Sequence, residues 1–205
     1  MRCLILSSLL TLVCGCSSAY RHLRPTKADM SALQKFKPNF TVALYSTQVD
    51  VIGNHLSGIL LIKKMPDSST RLVFSNEVGF KFFDFAYLAD GTFKVYSIIE
   101  QMNKKPVIKT LRKDFELLLM NNLDSSKLVT RSAEGLIYYS FKQSSGYYHY
   151  ITNTGGDTLI RMERASARKP VMQAIMRHYQ NGMPDTIGVS HTKFTFTIGL
   201  KRIIQ

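Results

Sequence analysis

The stretch of residues 80–101 carries apolar side chains in a pattern that limits how this chain can fold. Asp90-Gly91 is a strong two-residue hairpin signal within it, because both residues tolerate the positive φ of such turns. A two-residue turn pairs Ala89 with Thr92 and sets the register of both strands. One face then carries Phe82, Ala86, Phe93, Val95 and Ile99. The other face carries Phe83, Phe85, Tyr87, Tyr96 and Ile98.

Both faces of this predicted hairpin are therefore apolar. An antiparallel sheet with one solvated face alternates apolar and polar residues, as residues 194–201 do with Phe194, Phe196, Ile198 and Leu200. A sheet that is apolar on both sides must be covered on both sides. The remaining solution is curvature, in which the sheet wraps around its own interior or around a ligand.

The rest of the chain predicts a mainly β protein with two helices. Turn signals and alternation indicate about eleven strands. Residues 27–36 predict a short N-terminal helix. Residues 106–120 predict one amphipathic helix, because Ile108, Leu111, Phe115 and Leu118 follow Pro106 at spacings of three and four. We expect a curved antiparallel half-barrel with this helix packed on its concave side.

The N-terminus has the parts of a secretory signal: Arg2, a short apolar run and a small residue. The run is shorter than the roughly 20 apolar residues that span a bilayer. Val13-Cys14-Gly15-Cys16 resembles the lipobox of bacterial lipoproteins, which implies cleavage before Cys16 and acylation of its thiol. Ser17 favours the outer membrane by the same resemblance. The alternatives are an ordinary secretory signal cut near Ala19, or a buried N-terminal strand.

Cysteine usage favours acylation over these alternatives. All three cysteines lie within the first sixteen residues, so the mature chain keeps one thiol with no disulfide partner. The predicted organisation is a signal peptide at residues 1–15, a lipidated tether at residues 16–26 and one domain at residues 27–205.

The formal net charge of +13 would ordinarily suggest a nucleic-acid partner. An exported, membrane-tethered chain rarely meets nucleic acid, so anionic lipid headgroups or acidic cargo are the better partners, and a merely basic soluble surface is the alternative. The residues predicted to contact headgroups lie on or beside the amphipathic helix: Lys104, Lys105, Lys109, Arg112 and Lys113.

Catalytic signatures are nearly absent from the sequence. It contains no G-x-S-x-G, no H-E-x-x-H, no phosphate loop and no Gly-rich dinucleotide fingerprint. The five histidines lack metal-ligand spacing. We therefore predict a protein that is not an enzyme and uses no cofactor or metal, with a lipid hydrolase as the less favoured reading.

The order of elements resembles the LolA/LolB superfamily: a lipidated cysteine, a short helix, about five strands, an amphipathic helix and about six more strands. Residues 56–63 and 194–198 also resemble strands of LolB-like lipoproteins. The resemblance implies an eleven-stranded half-barrel over an apolar cavity that holds acyl chains. LolB, the lipidated member, sits on the inner leaflet of the outer membrane and receives lipoproteins from the soluble carrier LolA.

The resemblance thus predicts an outer-membrane lipoprotein that faces the periplasm, takes acyl chains or lipoprotein cargo and has a LolA-like carrier as a partner. Leu88 or the loop at residues 65–69 would replace the exposed leucine that LolB carries on a protruding loop. An envelope interaction module with a filled core is the alternative function. The side chains predicted to line the cavity are Phe83, Phe85, Tyr87, Tyr96, Ile98, Ile108, Leu111, Phe115 and Leu118.

Overall fold

The computed structural model describes residues 18–51, 53–121 and 123–204. Residues 1–15 and Cys16, where the sequence predicts the signal peptide and the lipidation site, lie outside the described residues. Within the described part, thirteen antiparallel strands form one sheet that does not close on itself. The strands are β1 (Arg24–Pro25), β2 (Val42–Val51), β3 (Asn54–Lys64), β4 (Thr70–Ser75), β5 (Lys81–Tyr87), β6 (Phe93–Ile98), β7 (Leu128–Ala133), β8 (Leu136–Lys142), β9 (Tyr147–Asn153), β10 (Leu159–Ala165), β11 (Pro170–Gln180), β12 (Met183–His191) and β13 (Phe196–Arg202).

Two α-helices accompany the sheet, α1 (Ser31–Gln34) and α2 (Lys105–Leu118). The helix α1 is shorter than predicted, but its Leu33 is fully buried in the main core. The helix α2 confirms the predicted amphipathic helix. Its Pro106 stands in the first turn, where the missing N–H costs no hydrogen bond.

The predicted fold class is confirmed, with two strands more than the sequence indicated. The order across the sheet is β1-β7-β8-β9-β10-β11-β12-β13-β2-β3-β4-β5-β6. The strands that the sequence did not reveal, β1 and β7, pair with each other at one edge. Neither strand has clear apolar alternation, since β1 has two residues and β7 exposes Val129.

The curvature of the sheet follows from what α2 touches. The ring of Phe115 on α2 lies 5.8 Å from the ring of Phe83 on β5, and Tyr150 on β9 donates a hydrogen bond to the backbone of the same helix. These two strands are eight positions apart in the sheet. Eight spacings would cover about 38 Å in a flat sheet, at about 4.8 Å per strand. A helix is only about 10–12 Å wide, so the sheet must curl around α2.

The β5–β6 hairpin differs from its prediction in register. The amide of Leu88 donates to the carbonyl of Thr92, and Gly91 has a φ of +83°, so the turn has three residues rather than two. Tyr87 therefore pairs with Phe93, and Phe85 pairs with Val95. The assumption of a two-residue turn was wrong.

The corrected register makes the hairpin apolar on one face only. Asp84, Ala86 and Lys94 share the outer face, where the Arg71 guanidinium pairs with the Asp84 carboxylate. The premise of two apolar faces is thus wrong, although the curved sheet inferred from it is present. The alternation of β13 is confirmed from Phe196 onward, but Phe194 lies in the preceding loop and is 42% exposed.

Residues 18–26, which the sequence predicts as a tether, lie against the outer face of the sheet. The amide of Ala19 donates to the carbonyl of Arg168 at 2.7 Å, and Leu23 is buried with Tyr138 and Ile151. Because Arg24–Pro25 also pairs with β7, this part of the chain is packed along the sheet.

Candidate functional site beneath the amphipathic helix

The candidate site is the interface between α2 and the concave face of the sheet. Alternate residues of the strands point to this face, and they form one continuous apolar cluster with the underside of α2. On β5 the rings of Phe83 and Phe85 stack 4.4 Å apart, and Phe83 meets Phe115 of α2 edge-on. The site is therefore an aromatic surface on which a helix lies.

The predicted cavity residues fall into two groups. One group belongs to this cluster, with side chains that are at most 5% exposed: Phe83, Phe85, Tyr87, Leu111, Phe115 and Leu118. Ile98 and Ile108 are only partly buried. Tyr96 is 47% exposed, and the Arg71 guanidinium lies 3.7 Å from its ring. A bulge between Asp84 and Phe85 leaves Tyr96 without a partner residue on β5, which explains its position away from the core.

In this structure, the concave face is filled by the protein's own side chains. Two surface depressions, of about 580 Å³ and about 650 Å³, lie elsewhere on the described residues. The first surrounds the paired Gly188 and Gly199, and the second lies beside Phe36 and Tyr179. Neither is lined by the predicted cavity residues. Because the side chains packed between α2 and the sheet are almost completely buried, a ligand on the concave face must displace α2.

Tyrosine hydroxyls tie α2 to the sheet on both sides of the concave face. Tyr87 donates to the carbonyl of Arg112, Tyr150 donates to the carbonyl of Leu117 at 3.2 Å, and Tyr148 donates to a Glu116 carboxylate oxygen at 2.8 Å. Burial raises the pKa of Tyr87, Tyr148 and Tyr150, so each hydroxyl stays protonated and remains a donor.

A buried ionic contact forms the remaining tie. One carboxylate oxygen of Asp114 on α2 lies 2.8 Å from His191 Nε2 of β12. The other carboxylate oxygen of Asp114 lies 3.1 Å from the Arg164 guanidinium of β10. Asp114 and the His191 side chain are each 1% exposed. Sequence reasoning missed this cluster. The available signal was an acidic residue on the same helical face as Leu111, Phe115 and Leu118.

The predicted headgroup residues occupy the outer side of α2 and its start. Lys104, Lys105, Lys109 and Arg112 are exposed, and no ion pair joins them to a carboxylate within the described residues. Lys113 is partly buried and its Nζ donates to Ser145 Oγ at 2.7 Å. Burial, together with Lys109 and Arg164, lowers the pKa of Lys113.

The structure also describes a protruding apolar loop that the sequence did not reveal. Residues 76–80 connect β4 and β5, with Val78 88% exposed and Phe80 56% exposed. Of the predicted alternatives, Leu88 is only partly exposed, and so is the apolar side chain of Met65 in the loop at residues 65–69. The loop was missed because Asn76 and Gly79 form an ordinary turn in sequence, and exposure is decided by tertiary packing.

Other chemistry is limited in the part of the chain that the structure describes. Residues 18–51, 53–121 and 123–204 contain no group of three or more His, Cys, Asp or Glu side chains that could hold a metal ion. The helices of the same residues are too short or too polar for any of them to cross a bilayer.

Three solved structures resemble this one at low sequence identity. The LolA superfamily protein NE2245 from Nitrosomonas europaea is 7% identical, covers 87% of this chain and 93% of its own, and gives a TM-score of 0.51. A domain from Vibrio parahaemolyticus, described as an outer membrane lipoprotein-sorting protein domain, is 7% identical over 85% of this chain and 90% of its own, with a TM-score of 0.44. A DUF1329 family protein from Desulfovibrio piger is 12% identical over 84% and 88%, with a TM-score of 0.42.

Sequence comparisons add no further relative. No protein-family model matches the chain, and no curated protein matches it. At 7% identity, the likeness to the Nitrosomonas protein speaks for the fold alone. The one open, curved sheet around α2 is the LolA-like fold, and this chain has that fold.

Proposed function

We propose that this protein is a non-enzymatic, lipid-handling lipoprotein of the LolB kind. Cys16 carries the lipid anchor and holds the domain at the outer membrane, facing the periplasm. The concave face accepts acyl chains of a lipoprotein or phospholipid, delivered by a LolA-like carrier. Binding and release involve no bond-making or bond-breaking step in the cargo.

The observation that carries this proposal is the nature of the contact beneath α2. Between the tyrosine and Asp114 ties, the helix meets the sheet through aromatic and aliphatic side chains such as Phe83, Phe85 and Phe115. Such contacts are non-directional and roughly proportional to buried area. An acyl chain can therefore replace the underside of α2 against the same aromatic surface when the helix moves outward.

The positive charges of α2 support a lipid with an anionic headgroup as the ligand, rather than an apolar molecule without charge. Lys105, Lys109 and Arg112 are spaced four and three residues apart, so they lie near one another on the exposed side. A basic residue near an anionic lipid surface contributes about 1 kcal/mol. These residues would hold the headgroup while the acyl chain enters below.

The loop at residues 76–80 supports contact with the membrane. LolB, which the sequence resembles, carries an exposed leucine on a protruding loop, and Val78 with Phe80 would serve that purpose here. Two such side chains give a weak insertion by themselves, because each buried methylene contributes about 0.8 kcal/mol. The loop would act beside an anchor that already holds the protein at the surface.

A cross-link that fixes α2 tests the proposal. The chain from Ser17 onward has no cysteine, so Lys113→Cys with Ser145→Cys creates one pair at a contact that joins α2 to the β8–β9 loop. We expect the free double variant to bind a fluorescent fatty acid with micromolar or better affinity. After reaction with a short bis-maleimide, it should bind at least about tenfold more weakly, because the helix can no longer leave.

The matched control is the single variant Lys113→Cys treated with the same reagent, which modifies α2 without tying it to the sheet. It should bind the fatty acid as the free double variant does. Equal binding by the cross-linked and free double variants would show that the ligand does not enter beneath α2.

The second candidate function is an envelope interaction module, and the filled core favours it. Phe85 is fully buried and Phe83 and Phe115 are each 4% exposed, so the concave face is complete without a ligand. A folded chain that takes up no fatty acid with α2 free would support this module instead of the lipid receptor.

A further inference from the structure

The segment that follows Cys16 is fixed to one particular end of the sheet. Ser18 Oγ donates to the carbonyls of Ala167 and Arg168, at 3.2 and 3.3 Å, and the Ala19 amide donates to the second of these carbonyls. Ala167 and Arg168 belong to the β10–β11 loop. Two residues of any chain span at most about 7 Å, so the tether between Ser18 and a lipid on Cys16 would be short.

Further contacts keep this segment in place. Tyr20 donates to a Glu163 carboxylate oxygen at 2.6 Å, and its ring lies 4.7 Å from the ring of His149. Glu163 is only 2% exposed and also pairs with Arg161 at 2.7 Å. Leu23 is buried a few residues later. A lipid on Cys16 would therefore be held beside the β10–β11 loop rather than at the end of a free spacer.

Alternate connections of an antiparallel sheet lie at the same end, which divides the loops into two rims. The anchor rim contains the hairpin connections at residues 143–146, 166–169, 192–195 and 76–80 and the β2–β3 turn at Gly53, together with the segments that join β6 to α2 and α2 to β7. The opposite rim contains the connections at residues 134–135, 154–158, 181–182, 65–69 and 88–92.

The hairpin loops of the two rims differ in charge. The hairpin loops of the anchor rim carry Arg168, Lys169 and Lys193 with one acidic residue, Glu77. The hairpin loops of the opposite rim carry four acidic residues and, in sequence, no Lys or Arg: Asp67, Asp90, Glu134 and Asp157. Lys37, Lys63 and Lys201 are exposed beside these loops, at strand ends or next to them. An anionic membrane surface therefore attracts the basic hairpin loops of the anchor rim, next to Ser18.

The hairpin loops of the two rims also differ in exposed apolar side chains. Within the described hairpin loops, the large exposed apolar residues are on the anchor rim: Val78, Phe80 and Phe194. At the opposite rim, Val42, Ile203 and Ile204 are exposed at the start of β2 and after β13 rather than in a hairpin loop. Phe194 lies in the β12–β13 loop, the next connection along this rim from the β10–β11 loop. Its neighbour in sequence, Lys193, is exposed, as are Arg168 and Lys169.

From these observations we propose a second membrane-binding site, formed by Phe194 with Arg168, Lys169 and Lys193 beside the anchor. Its occupant is the surface of an anionic bilayer, where the ring of Phe194 enters the headgroup region and the three basic side chains meet phosphates. The site rests on the membrane anchoring proposed above. Together with the loop at residues 76–80, it gives the anchored domain two contacts and one fixed orientation.

Tryptophan substitutions test this site, because the chain contains no tryptophan. The chain from Cys16 onward has a single thiol, which can be coupled to a maleimide lipid in vesicles of phosphatidylethanolamine and phosphatidylglycerol with brominated acyl chains. We expect the emission of Phe194→Trp to be quenched about twofold or more, since interfacial side chains lie about 5–10 Å deep. The control Ile204→Trp, exposed after β13 at the opposite rim, should keep its emission.

The basic residues are tested by substitution in the Phe194→Trp chain. Replacing Arg168, Lys169 and Lys193 with Gln should reduce the quenching on these vesicles. Replacing Lys37, Lys63 and Lys201, which are exposed near the opposite rim, should leave it unchanged. Vesicles of phosphatidylcholine should quench the parent less than the anionic vesicles do.

The outcomes separate this site from the proposed function. Chemical coupling places every chain on the vesicle, so the result does not depend on acylation in the cell. Quenching of Phe80→Trp without quenching of Phe194→Trp would retain the loop at residues 76–80 and overturn the second site. Equal emission from Phe194→Trp and Ile204→Trp would also overturn it. Quenching of Phe194→Trp without quenching of Phe80→Trp would support the second site and show that the loop at residues 76–80 does not enter the membrane.

Discussion

Asp114 is the residue on which the docking of α2 depends most. It is buried on the underside of the helix and meets both His191 and Arg164 on the sheet. Breaking a buried ion pair by removing one partner costs about 3–5 kcal/mol, because the other charge remains buried without compensation. We expect Asp114→Ala to lower the free energy of unfolding by about this amount in urea denaturation.

The matched control for this substitution is Asp124→Ala, which removes an exposed carboxylate paired with Lys127. The surface ion pair contributes little, and loss of the hydrogen bonds that the Asp124 carboxylate accepts from Ser126 should cost about 1 kcal/mol, well below the loss expected for Asp114→Ala. A similar loss in both variants would mean that Asp114 has no special part in holding the helix.

His149 should make the stability of the protein depend on pH. Burial lowers the pKa of His149 to about 4, and the Glu163 carboxylate opposes this shift only in part. The unfolded chain binds the proton more tightly than the folded one, so stability is present above about pH 6.5 and is lost as the pH falls towards 4. Between pH 7 and pH 5 the loss should be at most about 2 kcal/mol.

The variant His149→Phe checks this assignment. It keeps a ring against Tyr20 and Tyr147 but has no group that titrates. Its free energy of unfolding, measured by urea denaturation at several pH values, should change less between pH 7 and pH 5 than that of the parent. Identical changes in the two proteins would assign the pH dependence to other groups.

At the scale of elements, the loops of the anchor rim are packed against one another as well as connected to strands. Gly146, in the β8–β9 loop, has a φ of +84°, and a Cβ added there would lie 2.0 Å from the carbonyl oxygen of Ala165. Gly53, in the β2–β3 turn, has a φ of +77°, but an added Cβ would meet nothing within 4 Å. The two glycines therefore share backbone strain and differ in available space.

We expect Gly53→Ala to cost about 1 kcal/mol, the usual penalty for a non-glycine residue at positive φ. Gly146→Ala should cost at least about 2 kcal/mol more, since the β8–β9 loop must move away from β10. Thermal unfolding of both variants measures the difference. Equal losses of thermal stability in the two variants would show that the β8–β9 loop moves away from β10 without cost, and that the loops of this rim are not tightly packed.

At the scale of the whole molecule, the location of the protein depends on Cys16. Two or more acyl chains bind a membrane stably, whereas one binds only marginally. In the organism, Cys16→Ser should release the protein from membranes or leave an unprocessed precursor, as membrane fractionation and mass measurement would show. The matched control, Cys14→Ser, changes a cysteine at a position that the lipobox leaves free. Processing and membrane fractionation of Cys16→Ser like that of the parent would refute the anchor.

Local sequence patterns were sufficient to predict most of the helices and strands of this fold. The spacing of Leu111, Phe115 and Leu118 predicted α2, and the alternation of Phe196, Ile198 and Leu200 predicted β13 with its buried face. Both patterns depend on the period of a single element, which is a property of neighbouring residues. A mainly β chain with one long helix was therefore predictable without a structure, whereas the curvature of the sheet was inferred from a hairpin with two apolar faces that the structure does not have.

Relations between elements were decided only by the tertiary structure. The register of the β5–β6 hairpin depended on a turn of three residues and a bulge, and one residue of shift was enough to move Tyr96 out of the core. The contact of Asp114 with His191 joins residues 77 positions apart in sequence, which no local pattern encodes. The rims followed only from the order of thirteen strands, because side chains distant in sequence meet at one end of the sheet.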